Sequence, residues 1–291
     1  MATVTTVLVT GSTGHVGSEL ARRVAAGGLA VRALVRTDAQ VAEAEKRGWE
    51  PVDGDLTRPS SLGPALEGVD LVLHSAATGT MDRALAEAVN VEGTRALAAQ
   101  AITAGARRFV HISTTSVYGS SPPAEVDEDS PLAVDDEHPY MATKARAELA
   151  VEEARAAGLE GVVLRPGAVC NAVRSQWGNE LVERLRAKGW PADLHPEDVL
   201  PWVHTTNLAE MAWLALTHAA AGNETFIAVD CNVTANEFFV PIANALGQPV
   251  VPPDRAPEVS RCRLGKIAEK LGYEPVRGFA ETMEELLALV G

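Results

Sequence analysis

The stretch VLVTGSTGHVGSEL, residues 7–20, decides the fold. A short aliphatic run leads into three glycines, Gly11, Gly14 and Gly17, and a segment with helical spacing follows at once. A strand, a glycine turn and a helix N-terminus in this order form a pyrophosphate site, because backbone N–H groups and the helix dipole converge where no Cβ atom blocks approach. The stretch therefore predicts a bound dinucleotide at the end of the first strand.

The residues of this turn have separate expected roles. Gly11 allows the tight turn, Gly14 allows close approach of the dinucleotide, and Gly17 lets the helix lie against the sheet. His15 is expected beside the pyrophosphate because of its place in the turn. The other side chains of the turn that we expect to contact the cofactor are Thr13 and Val16.

Beyond this stretch, short aliphatic runs alternate along the chain with segments of helical spacing. The runs lie at residues 7–9, 31–35, 69–73, 109–112 and 161–164, and the helical segments between them include 18–26, 84–104 and 140–156. Runs without strict polar alternation suit strands that are covered on both faces. The alternation predicts an α/β fold with a Rossmann-type, doubly wound parallel sheet over residues 1–169.

The alternation of strand-like and helical segments ends at about residue 170. Loops with Pro, Trp and Gly are followed by helical segments at 208–221, 237–246 and 280–290. We expect residues 170–291 to form a smaller, mostly helical substrate-binding region, some segments of which return to the Rossmann domain. The acidic segment 124–137 is expected to be a solvated surface loop.

Composition excludes several classes of protein. Lys and Arg total 25 against 39 Asp and Glu, a net charge of −14 that would repel nucleic acid and anionic lipid. Absence of an N-terminal leader pattern and of an apolar run of about 20 residues favours a cytoplasmic location. The three cysteines and seven histidines lack disulfide or metal-ligand spacing, so we expect no metal.

The end of the second strand bears on cofactor preference. An Asp or Glu there would accept hydrogen bonds from the adenosine ribose in an NAD-selective site, but Val35 and Arg36 occupy these positions. A guanidinium can pair with a 2′-phosphate, so NADP(H) is favoured and NAD(H) remains possible. Asp55 follows the third strand and is expected to face the adenine ring, with Leu56 beside it.

Tyr140 and Lys144 lie four residues apart in a predicted helix and would share one face. A phenol has an ordinary pKa near 10, and a neighbouring ammonium favours its ionised form. Such a pair suits general acid/base chemistry at a hydroxyl or carbonyl group. By itself, the spacing marks the face of a surface helix more often than a catalytic site, and the preceding Thr114 and glycine turn reverse this preference.

Ordered motifs along nearly the whole chain resemble the extended branch of the short-chain dehydrogenase/reductase superfamily, the NAD-dependent epimerase/dehydratase family. Beyond the glycine turn they are GDL at 54–56, HSAA at 74–77, NVEGT at 90–94, HISTTSVYG at 111–119, YMATK at 140–144, LRPG at 164–167, WVHTTNLAE at 202–210 and LGYEP at 271–275.

This resemblance implies a catalytic set of Thr114, Tyr140 and Lys144. Thr114 would hydrogen-bond the reacting oxygen, Tyr140 would exchange its proton, and Lys144 would bind the nicotinamide ribose and lower the tyrosine pKa. Asn90 is assigned to the cofactor side of the site, where its amide is expected to tie a helix to the neighbouring strand. The other implied cofactor contacts are Ser75, Ala76, Ala77, Ser113, Tyr140, Lys144, Pro166 and Gly167.

Two departures from the family pattern narrow the function. Thr115 and Ser116 stand where sugar-nucleotide dehydratases carry an Asp-Glu pair, so elimination of water by that route is not expected. The C-terminal cations that could hold a nucleoside diphosphate are diluted by carboxylates. Trp177, Trp190 and Trp202 suggest an apolar or ring-stacking pocket, although core or interface packing is the favoured interpretation for each one taken individually.

Three functions remain open. The first is an NADP-preferring oxidoreductase acting on a carbonyl or secondary alcohol of a small organic substrate. The second is an epimerase of a nucleotide sugar, and the third is a dinucleotide-sensing protein without catalysis. The resemblance also implies a homodimer formed through the alanine-rich helices at residues 90–104 and 140–156, although alanine enrichment alone equally fits tight packing of helices on the sheet.

Overall fold

The computed structural model describes residues 5–291. Its strands are β1 (Thr6–Thr10), β2 (Ala30–Val35), β3 (Glu50–Asp53), β4 (Leu71–His74), β5 (Arg108–Ile112), β6 (Glu125–Val126), β7 (Glu160–Pro166), β8 (Ala168–Cys170), β9 (Val199–His204), β10 (Thr225–Ala228), β11 (Cys231–Thr234) and β12 (Arg261–Cys262). Its α-helices are α1 (His15–Ala26), α2 (Asp38–Lys46), α3 (Leu62–Leu66), α4 (Arg83–Ala86), α5 (Gly93–Ala104), α6 (Pro139–Ala156), α7 (Asn179–Lys188), α8 (Thr205–Thr217), α9 (Ala235–Ala245), α10 (Lys266–Leu271) and α11 (Phe279–Ala288).

The central sheet has seven strands in the order β10-β7-β5-β4-β1-β2-β3, and neighbouring strands are parallel throughout. The predicted Rossmann-type sheet is confirmed. The five predicted strand positions fall on β1, β2, β4, β5 and β7. β10 lies outside the predicted strands, because a four-residue apolar run cannot be distinguished from a buried helical segment by periodicity.

Helices cover both faces of this sheet, as alternation of side chains along β1 requires. Val7 and Val9 belong to the core under α1, α2 and α8, whereas Leu8 belongs to the core under α3, α5 and α6. Successive side chains of a strand point to opposite faces, so one aliphatic run supplies both cores. Because α8 comes from the C-terminal part of the chain, residues after 170 help to cover the sheet.

The C-terminal part also has a core of its own. α7, α9 and α11 pack around a three-stranded sheet in the order β11-β9-β8. Trp202, Phe238 and Leu286 are fully buried there. The region therefore contains strands as well as the expected helices, and β8 spans the predicted boundary at residue 169, which stays a prediction.

The acidic segment is more ordered than a solvated loop. Val126 is buried, and β6 pairs in parallel with β12 from the C-terminal part of the chain. The hydroxyl of Tyr118 donates to the carbonyl oxygen of Asp127 at 2.8 Å. Much of the segment is the expected surface loop, with Glu125, Asp129 and Asp135 exposed, but its acidic composition does not reveal the pairing of β6 with β12.

Among the described residues, no helix has the length and apolar character needed to cross a membrane.

Candidate active site

The glycine turn packs against the end of β4. Gly11 has a φ of +68°, and a Cβ atom there would lie 2.9 Å from the backbone nitrogen of Ala76. A Cβ on Gly17 would lie 2.2 Å from the carbonyl oxygen of Gly11. Both positions need glycine for these backbone approaches. The tight turn expected at Gly11 agrees with this geometry, whereas Gly17 makes room for the carbonyl of the turn itself rather than for the sheet.

The N-terminus of α1 is suited to an anion. Gly14 is its N-cap residue, and no side chain caps the helix. Uncapped N–H groups and the helix dipole favour a phosphate group at such a position. Gly14 and Gly17 form the turn without lining the cavities described next.

Two adjoining cavities extend from the turn. We name the first, of about 360 Å³, the adenosine cavity, and the second, of about 730 Å³, the catalytic cavity. They share Ala77 and Thr78 in their walls. The predicted cofactor residues in the adenosine cavity are Gly11, Thr13, Arg36, Asp55, Leu56, Ala76 and Ala77. Those in the catalytic cavity are His15, Val16, Ser75, Ala77, Ser113, Tyr140, Lys144, Pro166 and Gly167. The glycine cradle and the paired cavities fit a dinucleotide.

Arg36 and Asp55 both line the adenosine cavity. Burial acts to raise the pKa of Asp55, but hydrogen bonds from Thr57 outweigh it and hold that pKa below its ordinary value. The guanidinium of the exposed Arg36 adds a smaller lowering effect. The carboxylate of Asp55 accepts from the backbone nitrogen of Thr57 at 2.9 Å and from its hydroxyl at 2.8 Å.

The predicted catalytic residues all line the catalytic cavity. Thr114 follows β5 and is 8% exposed, Lys144 is 2% exposed, and Tyr140 is half-buried in the first turn of α6. Pro139 begins that helix, where its missing N–H leaves no hydrogen bond unmade. The structure therefore brings Thr114, Tyr140 and Lys144 to one cavity from two segments of the chain.

The pKa of Tyr140 is raised above its ordinary value, contrary to expectation. Burial of the phenol is the main cause, and a hydrogen bond with Thr114 acts against it. Lys144 does not offset the burial, because its ammonium is directed to other partners. Lys144 Nζ donates to the carbonyl oxygen of Ile112 at 2.7 Å and lies 3.2 Å from His111 Nε2.

Burial lowers the pKa of Lys144 itself to about 8, although the carboxylate of Glu148 acts to raise it. The neighbouring imidazole of His111 has a pKa well below its ordinary value, first through burial and then through Lys144. His74 follows the same pattern, with a pKa of about 3. The amine of Lys144 is therefore buried near two imidazole rings, those of His74 and His111, whose lowered pKa values keep them uncharged at neutral pH.

Sequence reasoning did not identify Glu148. It lies one helical turn beyond Lys144, and its carboxylate pairs with Arg165 of β7 at 2.7 Å, with both side chains almost fully buried. Ser113 donates its hydroxyl to the same carboxylate. Position 148 continues the spacing of Tyr140 and Lys144 on α6, and this spacing is the signal that could have indicated it.

Three predicted cofactor residues have other partners. Asn90 lines neither cavity: its amide donates to the Thr78 carbonyl at 2.9 Å and its amide oxygen accepts from the Thr78 nitrogen at 2.8 Å. A Cβ on Gly167 would lie 2.2 Å from the carbonyl oxygen of Pro201, so this glycine makes room for β9. His15 Nε2 lies 3.2 Å from the hydroxyl of Thr205, which anchors the imidazole to α8.

The remaining walls of the catalytic cavity are uncharged. Apart from Lys144, its lining residues in the described chain include no Asp, Glu, Arg or Lys side chain. Trp177 lines the cavity, whereas Trp190 packs edge-on against Phe239 and Trp202 lies in the C-terminal core. Trp177 also packs edge-on against Phe239, so its stacking role stays a prediction, and core packing describes the other two tryptophans.

A parallel Rossmann sheet with this glycine turn and a Tyr-x-x-x-Lys helix defines an extended short-chain dehydrogenase/reductase. The chain belongs to the NAD dependent epimerase/dehydratase family, whose model matches residues 7–228. Members of this class act as oxidoreductases, epimerases or dehydratases.

Individual relatives span these activities. A 4-hydroxy-2-methyl-3-oxo-4-farnesyl-3,4-dihydroquinoline-1-oxide ketoreductase from Stigmatella aurantiaca is 30% identical, and the alignment covers 82% of this chain and 72% of that protein. A dTDP-glucose 4,6-dehydratase from Streptomyces niveus is 29% identical, with 96% and 90% covered. The solved structure of a short-chain dehydrogenase/reductase superfamily protein from Agrobacterium tumefaciens with bound NAD has a TM-score of 0.81 and 27% identity, covering 98% of this chain and 96% of that one.

Proposed function

We propose that the protein is an NAD(P)-dependent oxidoreductase that interconverts a carbonyl group and a secondary alcohol on a small organic substrate. The observation that carries the proposal is the catalytic cavity, in which Thr114 and Tyr140 meet without a carboxylate among the lining residues of the described chain. Similarity to a ketoreductase supports the same reaction class.

Three residues of this chain would each perform one part of the reaction. Thr114 donates a hydrogen bond to the carbonyl oxygen, and Tyr140 gives that oxygen its proton. Because burial raises the pKa of Tyr140, the phenol is protonated at neutral pH and is ready to act as the general acid. Lys144 holds the adjoining ribose hydroxyls. The nicotinamide cofactor supplies the hydride when bound.

Two features weigh against the other reactions of the family. Dehydration needs a further acid and base, but Thr115 and Ser116 supply hydroxyls only. A nucleoside diphosphate calls for cations, but the lining of the catalytic cavity in the described residues contains no Arg and, among Lys residues, Lys144 alone. Epimerisation of a nucleotide sugar stays the second candidate, because it would use the same Tyr140.

The test compares wild type with Tyr140→Phe. Wild type should change the nicotinamide absorbance in proportion to the ketone consumed. The kcat of the variant should be lower by a factor of about 10² to 10⁴, while its affinity for the cofactor should be unchanged. Tyr273→Phe is the matched control, because the Tyr273 hydroxyl bonds Asp230 in another part of the chain. Turnover without a net change in absorbance would favour epimerisation. Intact turnover by Tyr140→Phe would exclude both the oxidoreductase and the epimerase function.

We further propose that NADP(H) is preferred. Arg36 lines the adenosine cavity and is exposed, so its guanidinium is available to a 2′-phosphate. Arg36→Asp should lower kcat/KM for NADPH by about tenfold or more relative to NADH. Arg58→Asp makes the same charge change outside the cavity lining and should leave the ratio unaltered. An unchanged ratio in Arg36→Asp would refute the assignment.

We also propose a homodimer through α5 and α6. Arg95 of α5 pairs with Glu153 of α6, and Leu149 of α6 stands 43% exposed near that pair. An exposed leucine beside a fixed ion pair suits an interface with an apolar centre and a polar rim.

A further inference from the structure

A third cavity adjoins the catalytic one on the side away from the glycine turn. It has a volume of about 540 Å³, and we name it the vestibule. Thr115, Ser116, Met141 and Pro201 line both cavities, so the vestibule borders the space in front of Tyr140. It is the adjoining space toward which a substituent of a substrate held at Tyr140 would extend.

The vestibule has an apolar wall with hydroxyl groups and no cation. Its apolar lining includes Pro122, Val126, Val199, Pro257 and Val259. Its hydroxyl-bearing lining residues are Thr115, Ser116, Tyr118, Ser120, Ser121 and Ser260. No Lys, Arg or His of the described residues lines it, so a phosphate or carboxylate there would have no counter-charge.

The one carboxylate of that lining belongs to Glu258. Its side chain is 74% exposed and lies 3.7 Å from the guanidinium of Arg255. Arg255 in turn binds Asp198, outside the vestibule lining. Arg255 is thus shared between two carboxylates, so the charge of Glu258 is compensated only in part. Because the Glu258 side chain is mostly exposed, solvent screens that charge, and it offers no attraction to an anion.

Long-range contacts hold the vestibule walls in place. Ser260 donates to the carbonyl oxygen of Pro123, 137 residues away, and the nitrogen of Val199 donates to the Glu258 carbonyl oxygen at 2.8 Å. The Asn232 amide makes two hydrogen bonds of 2.9 Å with the backbone of Cys262. The walls are therefore a pre-formed binding surface, which reduces the entropy cost of binding.

We propose that the vestibule binds an uncharged, largely apolar substituent of the carbonyl substrate, such as an alkyl or isoprenoid-like chain. This inference rests on the proposed oxidoreductase function and specifies its substrate class. Burial of each methylene group should improve binding, whereas a distal anion should be rejected because no cation meets it.

The experiment measures kcat/KM with NADPH for methyl ketones of increasing chain length, each paired with a ketone of equal length that ends in a carboxylate. The kcat/KM of the neutral ketones should rise about threefold or more with each added methylene until the vestibule is full, whereas that of the anionic ketones should not rise. Val259→Trp should reduce the chain-length gain, since Val259 lines the vestibule and its 49% exposure leaves room for a larger residue. Val251→Trp, at a residue 62% exposed and outside the lining, is the matched control.

Two outcomes would overturn the proposal in distinguishable ways. Reduction of all ketones with no dependence on chain length, or equal use of the anionic series, would overturn the vestibule assignment alone. Absence of any net absorbance change with every ketone would overturn the proposed oxidoreductase function and the vestibule assignment together.

Discussion

At the scale of single residues, Lys144 shows how burial sets the chemistry of the site. Its amine has two hydrogen-bond partners, a backbone carbonyl and the ring of His111, and neither of them is a carboxylate. Burial lowers its pKa to about 8, so the ammonium form is lost within the accessible pH range. Tyr140 has a raised pKa and keeps its proton over that range. The two groups therefore respond differently to pH.

Reductase activity should accordingly fall as pH rises through about 8. The lowered pKa of Lys144 means that its positive charge is present below this value and absent above it. A profile of kcat/KM from about pH 6 to 10 reports this free-enzyme group. In Lys144→Arg the guanidinium does not titrate in this range, so the remaining activity should lack the decline. A flat wild-type profile would contradict the assignment.

At the scale of elements, α6 ties the site to the sheet. Tyr140, Lys144 and Glu148 follow one another at helical spacing, and Glu148 pairs with Arg165 of β7. Arg165 also donates to the hydroxyl of Tyr118 and to the carbonyl oxygen of Glu128, each at 2.9 Å. One guanidinium thus joins the catalytic helix, the sheet and the acidic segment.

Removal of one partner of this buried pair should be costly. Arg165→Leu is expected to lower the free energy of unfolding by about 3–5 kcal/mol, because Glu148 is left buried and unpaired. The double variant Glu148→Leu/Arg165→Leu should lose less than the sum of the single variants. Urea unfolding measures both effects.

The control for this prediction is Arg22→Leu. It removes an ion pair with Glu19 from a guanidinium that is 60% exposed and should change stability by less than about 1 kcal/mol. Additive losses in the double variant would show that the two buried side chains do not act as a pair.

At the scale of the whole molecule, two parts of the chain build one site. The glycine turn, Thr114 and Tyr140 come from the first 169 residues, whereas Pro201 and Trp177 close the catalytic cavity from the C-terminal part. The two parts also share the sheet, since β10 pairs with β7. Outer faces of α5 and α6 lie apart from this site and remain available for the proposed dimer.

The dimer proposal is tested by Leu149→Glu. Glutamate has a helix propensity close to that of leucine, so α6 should persist while a charge enters the proposed interface. The dissociation constant of the dimer should rise by about tenfold or more, and light scattering after size exclusion should then detect the monomer. Leu289→Glu changes another exposed leucine, 39% exposed, and should leave the oligomeric state unaltered. Equal behaviour of the two variants would contradict the proposed face.

The sequence by itself determined the class of fold and the family, because both depend on local patterns. The turn at Gly11 to Gly17, the strand runs and the spacing from Tyr140 to Lys144 each lie within one or two elements. Such patterns respond to backbone conformation and helical periodicity, which neighbouring residues fix.

Only the tertiary structure decided which distant groups meet. Pairing of Glu148 with Arg165, addition of β10 to the sheet and enclosure of the vestibule join segments far apart in the chain. The direction of the Tyr140 pKa belongs with them, since it follows from burial of the phenol and from the partners that Lys144 finds. Burial and long-range hydrogen bonds are properties of the packed chain, and no local spacing encodes them.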